Sequence, residues 1–382
     1  MDFTHPKNLS VEQLGENAPY TTPGMPPLDM AGKQTSMFEF WPTWLMYLPV
    51  ALQSLGLAIW HRSLTLPLVA NPKLPLSGMV GVGKSELMQQ AEGECRQAIL
   101  SWFIHHRTEI DLAEQVIAIQ ERMAVEGFNF PVVCKPDIGC RGSGVKLVHN
   151  PEQLINALAH YPEGAGMLVQ VLASWEPEAG VFYIRHPEEK SGRIISMAFK
   201  YTPYVVGDGV STLRQLINED SRASELQHLY VQRHNDKLDK IIPKDKPYKL
   251  VFSASHCRGA IFRDANGHIT PALTTRINKV MEGLPEFYYG RLDIKFRDVD
   301  SFKKGENIEI VEINSASSES LHIWDRDTSL TEAIRSLLFQ YRTLFRLGAK
   351  NRSRGFQPPK LSVFLSAWKK ERLLTQAYPE TD

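Results

Sequence analysis

Cysteine is scarce. The 382-residue chain has four, Cys95, Cys134, Cys140 and Cys257, with no CxxC pair and no His/Cys ligand spacing. A zinc site and a disulfide framework are thereby excluded as the basis of the fold, and a reducing compartment is expected. Net charge is missing too. Lys and Arg number 43 and Asp and Glu number 43, so no global positive field draws the chain to nucleic acid. Residues 1–30 hold no apolar h-region, and no secretory signal is expected in them. No internal repeat is found. What is present is ordinary globular chemistry, 43% hydrophobic and 23% charged, which excludes wholesale disorder, collagen and coiled coil. The length gives a prior of roughly two to three domains and suffices for a sizeable core.

The texture changes along the chain. Residues 1–36, with Pro6, Pro23, Pro26 and Pro27, read as a poorly ordered lead-in. Residues 37–127 read as mainly helical. They open on the most apolar stretch, Trp41 to Trp60, which carries no charge, has aromatics at both ends and is followed by His61-Arg62. Its length approaches the ~20 residues of a membrane span, but Pro42, Pro49, Gln53 and Ser54 interrupt it. It reads first as a helix buried in or docked on a soluble protein, with peripheral membrane contact or a span as the other reading; a cytoplasmic location follows, with membrane association left open. Residues 64–70 suggest a short strand, 84–106 a helix and 111–126 a second helix started by Asp111 and stopped by Gly127.

From residue 128 short apolar runs alternate with Gly and Asp. Strands are expected at 131–135, 145–148, 167–172, 180–185, 194–200, 249–253, 260–263, 289–296 and 308–313, and helices at 151–159, 211–219 and 328–347. This is an α+β mixture built mostly from antiparallel hairpins. Residues 346–382 read as a basic, polar tail with one apolar segment, 361–374.

Gly78-Met79-Val80-Gly81-Val82-Gly83-Lys84-Ser85 satisfies GxxxxGK[ST], the pattern of a loop whose backbone N–H groups wrap phosphates while the Lys adds charge. That chemistry needs a buried strand directly before the loop. Residues 71–77 contain Pro72 and Pro75 instead, and proline cannot donate within a central strand. The segment therefore reads as a Gly-rich turn capping a helix near Lys84, with a P-loop kinase as the runner-up.

Three other segments fit one nucleotide site. Residues 130–145 form a strand ending in Lys135, a loop with Gly139, Gly142 and Gly144, then a second strand; glycines let backbone approach phosphate oxygens, and Lys135 adds a point charge on them. Residues 168–172 leave through a short hinge that can offer backbone groups to an adenine edge, with Glu178 suited to ribose hydroxyls. Arg291-Leu292-Asp293-Ile294-Lys295 and Ile310-Val311-Glu312-Ile313-Asn314 are two β-patterned runs. Paired, they would project Asp293, Glu312 and Asn314 from one face, since Glu312 and Asn314 are two apart. Two carboxylates and an amide oxygen suit Mg²⁺ (or Mn²⁺), which takes few carboxylates together with triphosphate oxygens.

The order KPxxGxxGxGV, VQxxxxxxxE, RxDI and VEIN resembles the ATP-grasp superfamily, in particular the D-alanine–D-alanine ligase-like and cyanophycin-synthetase-like ligases, over roughly residues 128–345. The resemblance implies two α+β subdomains gripping ATP between antiparallel sheets, and activation of a small-molecule carboxylate as an acyl phosphate that an amine attacks. By position it gives Lys135 to the nucleotide phosphates, Gly142, Ser143 and Gly144 to the loop over the β- and γ-phosphates, and Gln170 and Leu172 to the adenine hinge. It gives Glu178 to the ribose, Asp293, Glu312 and Asn314 to the metal, Arg291 to the acyl-phosphate transition state and Lys200 to a further phosphate contact. Residues 206–212 resemble the GDGxST turn of the cyanophycin-synthetase-like group, and Ser211 or Thr212 can also cap the helix that follows. Two departures stand out. No lysine lies between Lys84 and Lys135, so the superfamily's earlier ATP-binding lysine is absent or replaced, with Arg107 the nearest substitute. No Rossmann-like domain is readable before the grasp. Ser315, Ser317, Ser318, Glu319 and His322, and His256 with Arg258, are the candidates to line the substrate half. Cys257 beside Arg258 reads as a buried structural thiol, or one whose pKa the arginine lowers. A non-catalytic ATP-binding sensor or scaffold on the same fold is the alternative function.

Overall fold

Period-two patterning writes the strands, and each strand finds an antiparallel neighbour. In a computed structural model of the chain, residues 20–29, 34–39, 41–139, 144–253, 259–378 and 381 are described. The first third holds α1 (Thr43–His61), two 3₁₀ turns (Leu66–Val69 and Pro75–Gly78), α2 (Lys84–Met88), α3 (Gly93–Ala98), β1 (Trp102–His106) and α4 (Leu112–Val125). Next come β2 (Val132–Pro136), β3 (Lys146–Val148), α5 (Pro151–Ala159), β4 (Gly166–Val171), β5 (Glu178–Ile184), β6 (Arg193–Tyr201) and β7 (Tyr204–Val206). Then follow α6 (Leu213–Glu219), α7 (Gln227–Arg233), β8 (Pro247–Lys249), β9 (Ile261–Asp264), α8 (Pro271–Glu282), β10 (Tyr289–Phe296), α9 (Val299–Lys303), β11 (Ile308–Asn314), α10 (Leu330–Ser353) and α11 (Leu361–Ala377).

The strands assemble into three sheets. A four-stranded sheet runs β1-β4-β2-β3, a five-stranded sheet β11-β10-β5-β6-β9, and β7 pairs with β8. The four-stranded sheet buries Phe103, Val132, Cys134, Met167 and Val169 against Val116, Ile119 and Met123 of α4 and Leu154 and Leu158 of α5. One face of the five-stranded sheet, with Val181, Met197, Leu292 and Ile294, packs against Leu273, Ile277 and Val280 of α8. Its other face takes the alternate residues: Phe182 and Tyr289 pack with Leu344 and Leu347 of α10, and further along the same strands lie the charged residues of the site.

Several expectations are corrected. Residues 84–106 are two short helices and then a strand. Gly93 breaks the helix at φ +51, Glu92 N–H bonds to the Gly283 carbonyl, and the aromatic, β-branched run Trp102-Phe103-Ile104 pairs with Gln170, Val169 and Leu168 of β4. Residues 64–70 form a 3₁₀ turn, as Pro67 at its start favours. The strand expected at 249–253 is β8, which ends at Lys249. In the tail, α10 runs on to Ser353 and α11 is a regular helix. Helices α7, α8 and α9 and strand β7 are additional to the elements expected from sequence; α8 has a Thr270 cap and Pro271 at its first position.

Candidate active site

The charged face of the five-stranded sheet follows from register alone. Arg291 lies opposite Asn314 and Asp293 opposite Glu312 on β11, while Glu178 of β5 pairs with Lys295 of β10 and Lys200 of β6. Directly opposed residues of an antiparallel pair share a face, so seven polar side chains from four strands meet on one surface. At the Asp293 position β5 supplies Gly180. A Cβ there would come within 2.7 Å of Leu321 Cδ1 and 3.2 Å of Arg291 Cδ, so the bare backbone gives the arginine room to lie across the strand.

Asp293 is the hub. Arg291 Nε and Nη2 grip its carboxylate at 2.8 and 3.1 Å, Lys200 Nζ approaches at 3.0 Å and Asn314 Nδ2 donates at 3.1 Å. Lys200 also holds Glu178 at 2.6 Å, and Lys295 reaches the other oxygen of Glu178 at 3.1 Å. Burial alone would push both acids up. Arg291 and Lys200 outweigh it and hold Asp293 well below the usual carboxylate range, and Lys200 and Lys295 bring Glu178 below its ordinary value. For Lys200 burial works downward, and Asp293 and Glu178 overcome it to leave the ammonium above its ordinary value.

The other wall comes from the four-stranded sheet. Lys135 closes β2 with its ammonium fully buried, and Nζ donates to the Val311 carbonyl at 3.1 Å. Gln170 of β4 donates to the same carbonyl at 3.3 Å and to the Leu100 carbonyl at 3.4 Å. That carbonyl is free for a structural reason. Between β10 and β11 the register slips from Asp293–Glu312 to Ile294–Ile310, so Val311 is the extra residue of a β-bulge with no ladder partner. The bulge is thus the joint at which two sheets meet. Burial, opposed in part by Glu312, pushes the Lys135 ammonium down to about 8.

The GKS segment also arrives here. Pro75–Gly78 is a 3₁₀ turn rather than a strand, and α2 is only five residues long, so the strand–loop–helix of a P-loop is not built. Instead Lys84 N–H bonds to the Asp137 carbonyl, and Ser85 N–H and Oγ donate to Asp137 Oδ1 and Oδ2 at 2.8 and 2.9 Å. Lys84 Nζ then donates to the Gly139 carbonyl at 2.9 Å and lies 3.8 Å from Glu312. Sequence reading treated this lysine as a helix start; only the tertiary contact with Asp137 brings it to the Gly-rich hairpin. Arg107, the suggested replacement for that lysine, turns away to the Tyr161 carbonyl.

Gly144 is placed at the end of the hairpin loop, φ +70, beside Pro136 and Tyr378. Gly142 and Ser143 lie outside the described residues, as do His256, Cys257 and Arg258. Leu172 follows β4 directly. Beyond β11, Ser315 and Ser317 donate to the Gly78 carbonyl at 3.3 Å each, and Ser318 donates to the Ser315 carbonyl. Glu319 accepts from Tyr47 and Trp324, and its carbonyl takes Arg291 Nη1 at 3.2 Å. His322 is buried against Ser336 rather than facing the charged surface. Among the described residues no three His, Cys, Asp or Glu side chains gather as a metal cluster. The donors that do share a face, Asp293, Glu312 and Asn314, are hard oxygens of the kind that holds a divalent cation jointly with phosphate oxygens.

No family model matches the chain. Cyanophycin synthetase of Synechocystis sp. (strain ATCC 27184 / PCC 6803 / Kazusa) is 25% identical over 231 residues, with 48% of this chain and 26% of that protein covered. The chain thus spans about a quarter of that relative's length. Among solved structures it is similar to D-alanine–D-alanine ligase from Bacillus anthracis, at 12% identity and TM-score 0.40, covering 74% of this chain and 72% of that one. The bifunctional glutathione synthetase from Pasteurella multocida is 13% identical at TM-score 0.34, with 71% and 38% covered. Over the 231 matched residues the chain is similar to cyanophycin synthetase, and Lys135, Glu178, Arg291, Asp293 and Glu312 sit on two antiparallel sheets that close on one charged surface.

Proposed function

We propose that the chain is an ATP-dependent carboxylate–amine ligase. The observation that carries this reading is the convergence of Lys84 from α2 and of Lys135, Lys200 and Arg291 with Glu178, Asp293 and Glu312 from two separate sheets. Packing requires no such gathering, since burying these charges carries a desolvation cost that a bound ligand would offset.

ATP with its divalent cation, Mg²⁺ or Mn²⁺, supplies the γ-phosphoryl group and part of the charge that neutralises it; Asp293, Glu312 and Asn314 would hold that cation. Lys135 and Lys200 set positive charge beside the phosphates, and Lys84 takes the place of the superfamily's earlier lysine. Glu178 accepts from the ribose hydroxyls, and the end of β4 at Gln170 and Leu172 offers backbone groups to the base. Gly142, Ser143 and Gly144 cover the β- and γ-phosphates and keep water from the acyl phosphate. The substrate carboxylate takes the γ-phosphoryl and ADP is released. The amine then attacks the acyl carbon, phosphate departs and the nitrogen gives up a proton. Arg291, already aimed by Asp293 and the Glu319 carbonyl, stabilises the oxyanion formed in that attack. Both substrates are small molecules.

Glu312→Gln is expected to abolish ADP release in a coupled assay against mixed carboxylates and amines while the far-ultraviolet spectrum and melting profile stay those of the parent. Undiminished turnover in the variant would remove Glu312 from the metal set. A second reading, an ATP-binding sensor or scaffold, is favoured by one observation: Asp293 is already neutralised by Arg291 and Lys200. Calorimetric ATP binding without ADP release over the whole panel would decide for it.

A further inference from the structure

Helix α1 reaches the site only through Tyr47, whose hydroxyl donates to Glu319. Its inner side packs on α10 through Met46, Val50 and Ala58. The two helices run side by side in the same direction, Gln53 Nε2 donating to the Leu338 carbonyl at 2.7 Å, Arg342 Nη2 to Gln53 Oε1 at 3.3 Å and Arg352 Nη1 to the His61 carbonyl at 3.0 Å. The outer side is left in water. Trp44, Leu48, Leu52, Leu55 and Ile59 are all exposed and spaced four, four, three and four, which is one continuous stripe. Trp60, 82% exposed, ends it, and no charged residue occurs between Thr43 and Trp60. A contiguous apolar surface of this kind on a folded chain marks an interaction site.

Charge on the neighbouring helix selects the partner. Along α10 the outward row is Arg335, Phe339, Arg342 and Arg346, all exposed and again on one face by spacing. Among the described residues none of these three arginines makes an ion pair, and the one acid on this face, Glu332, stands in the first turn before Arg335. A second copy of the chain docking by this face about a two-fold axis would set arginine row near arginine row. An anionic surface would meet an apolar stripe flanked by unneutralised cations, with tryptophan at both ends of the stripe, where indole favours the headgroup level. The helix cannot cross a bilayer while its inner side holds the core of α10, so it lies on the surface rather than through it.

We propose that the outer face of α1 with the arginine row of α10 docks the protein on an anionic lipid bilayer. The test is flotation of the full chain with phosphatidylcholine vesicles, with and without phosphatidylserine. The parent is expected to float with the anionic vesicles, far less with neutral ones, and to be released by salt. Replacing Arg335, Arg342 and Arg346 together by Gln is expected to lower partitioning roughly 100-fold. Leu52→Glu with Leu55→Glu should abolish it; both side chains are exposed, so an unchanged melting profile serves as the folding control. Absence of flotation, or equal flotation with neutral vesicles, would overturn the proposal. So would a dimer in analytical ultracentrifugation that the two leucine changes dissolve while the parent ignores vesicles, for then the face belongs to a second copy.

Discussion

Lys135 is the most informative single residue. Its ammonium is buried, bonded to a neutral carbonyl and pushed down to about 8. An unfolded lysine titrates near 10.4, so between about pH 8 and 10.4 the unfolded chain binds more protons than the native one. Stability contributed at this position therefore rises with pH across that window, the opposite of a lysine gaining a carboxylate partner. A triphosphate reverses the balance, because its charge favours the ammonium. Nucleotide binding must then take up a proton above pH 8, and affinity falls as pH rises. Calorimetry at pH 7 and pH 9 is expected to find ATP about tenfold weaker at pH 9, from the protonated fraction at a pKa of about 8. Lys135→Met should bind weakly at both values with the difference lost. A parent affinity that does not change between them would take Lys135 off the phosphates.

At the scale of elements, irregular connections are fixed by buried amides. The segment between α1 and α2 has little regular structure, yet Asn71 within it is fully buried. Its Oδ1 accepts from Tyr288 and Tyr289 N–H at 2.8 and 3.1 Å, and its Nδ2 donates to the Tyr289 carbonyl at 2.8 Å. Asn351 of α10 does likewise for the Val69 and Ala70 carbonyls. One asparagine thus caps the start of β10, the strand that carries Arg291 and Asp293. Asn71→Ala would orphan three buried backbone groups, each worth ~1 kcal/mol or more, and is expected to lower unfolding free energy by about 3 kcal/mol in denaturant titration. A change under about 0.5 kcal/mol would mean that water replaces the amide. These contacts also mark where sequence reading stops. Strands such as β10 and β11 were legible because period-two alternation is local and one of their faces is buried; the expectation that Asp293, Glu312 and Asn314 share a face followed from it. Strand β1 was not, since Cys95, Ala98 and Ile99 extend a helical spacing up to it and only its partner β4 declares it. Lys84 was invisible because its place is set by Asp137 and Gly139, more than fifty positions away, and the bulge at Val311 because alternation does not fix where a register slips.

The two larger sheets meet along the β11 edge and around one ring of charges. The joint is held by Lys135 and Gln170 on Val311, by Lys84 between Gly139 and Glu312, by Leu100 N–H on the Ile310 carbonyl and by Ser174 on Glu309. Around it the cations outnumber the carboxylates. A nucleotide seated there would touch β2 and the Gly-rich hairpin on one side and β5, β6, β10 and β11 on the other, so its binding free energy would be shared by both sheets. Mass action sets the size of the effect: at a hundredfold excess over Kd a ligand specific for the folded state stabilises it by about 2.7 kcal/mol, which for a chain of this length raises Tm by about 3 °C. Hydrogen exchange should locate it. Amide protection is expected to rise together in Val132–Pro136 and in Ile308–Asn314, and Asp293→Asn should weaken the rise in both strands, although only one of them lies in the same sheet. Protection confined to the α2 and Lys84 segment, with the two strands unchanged, would place the nucleotide elsewhere and leave the charged surface without its ligand.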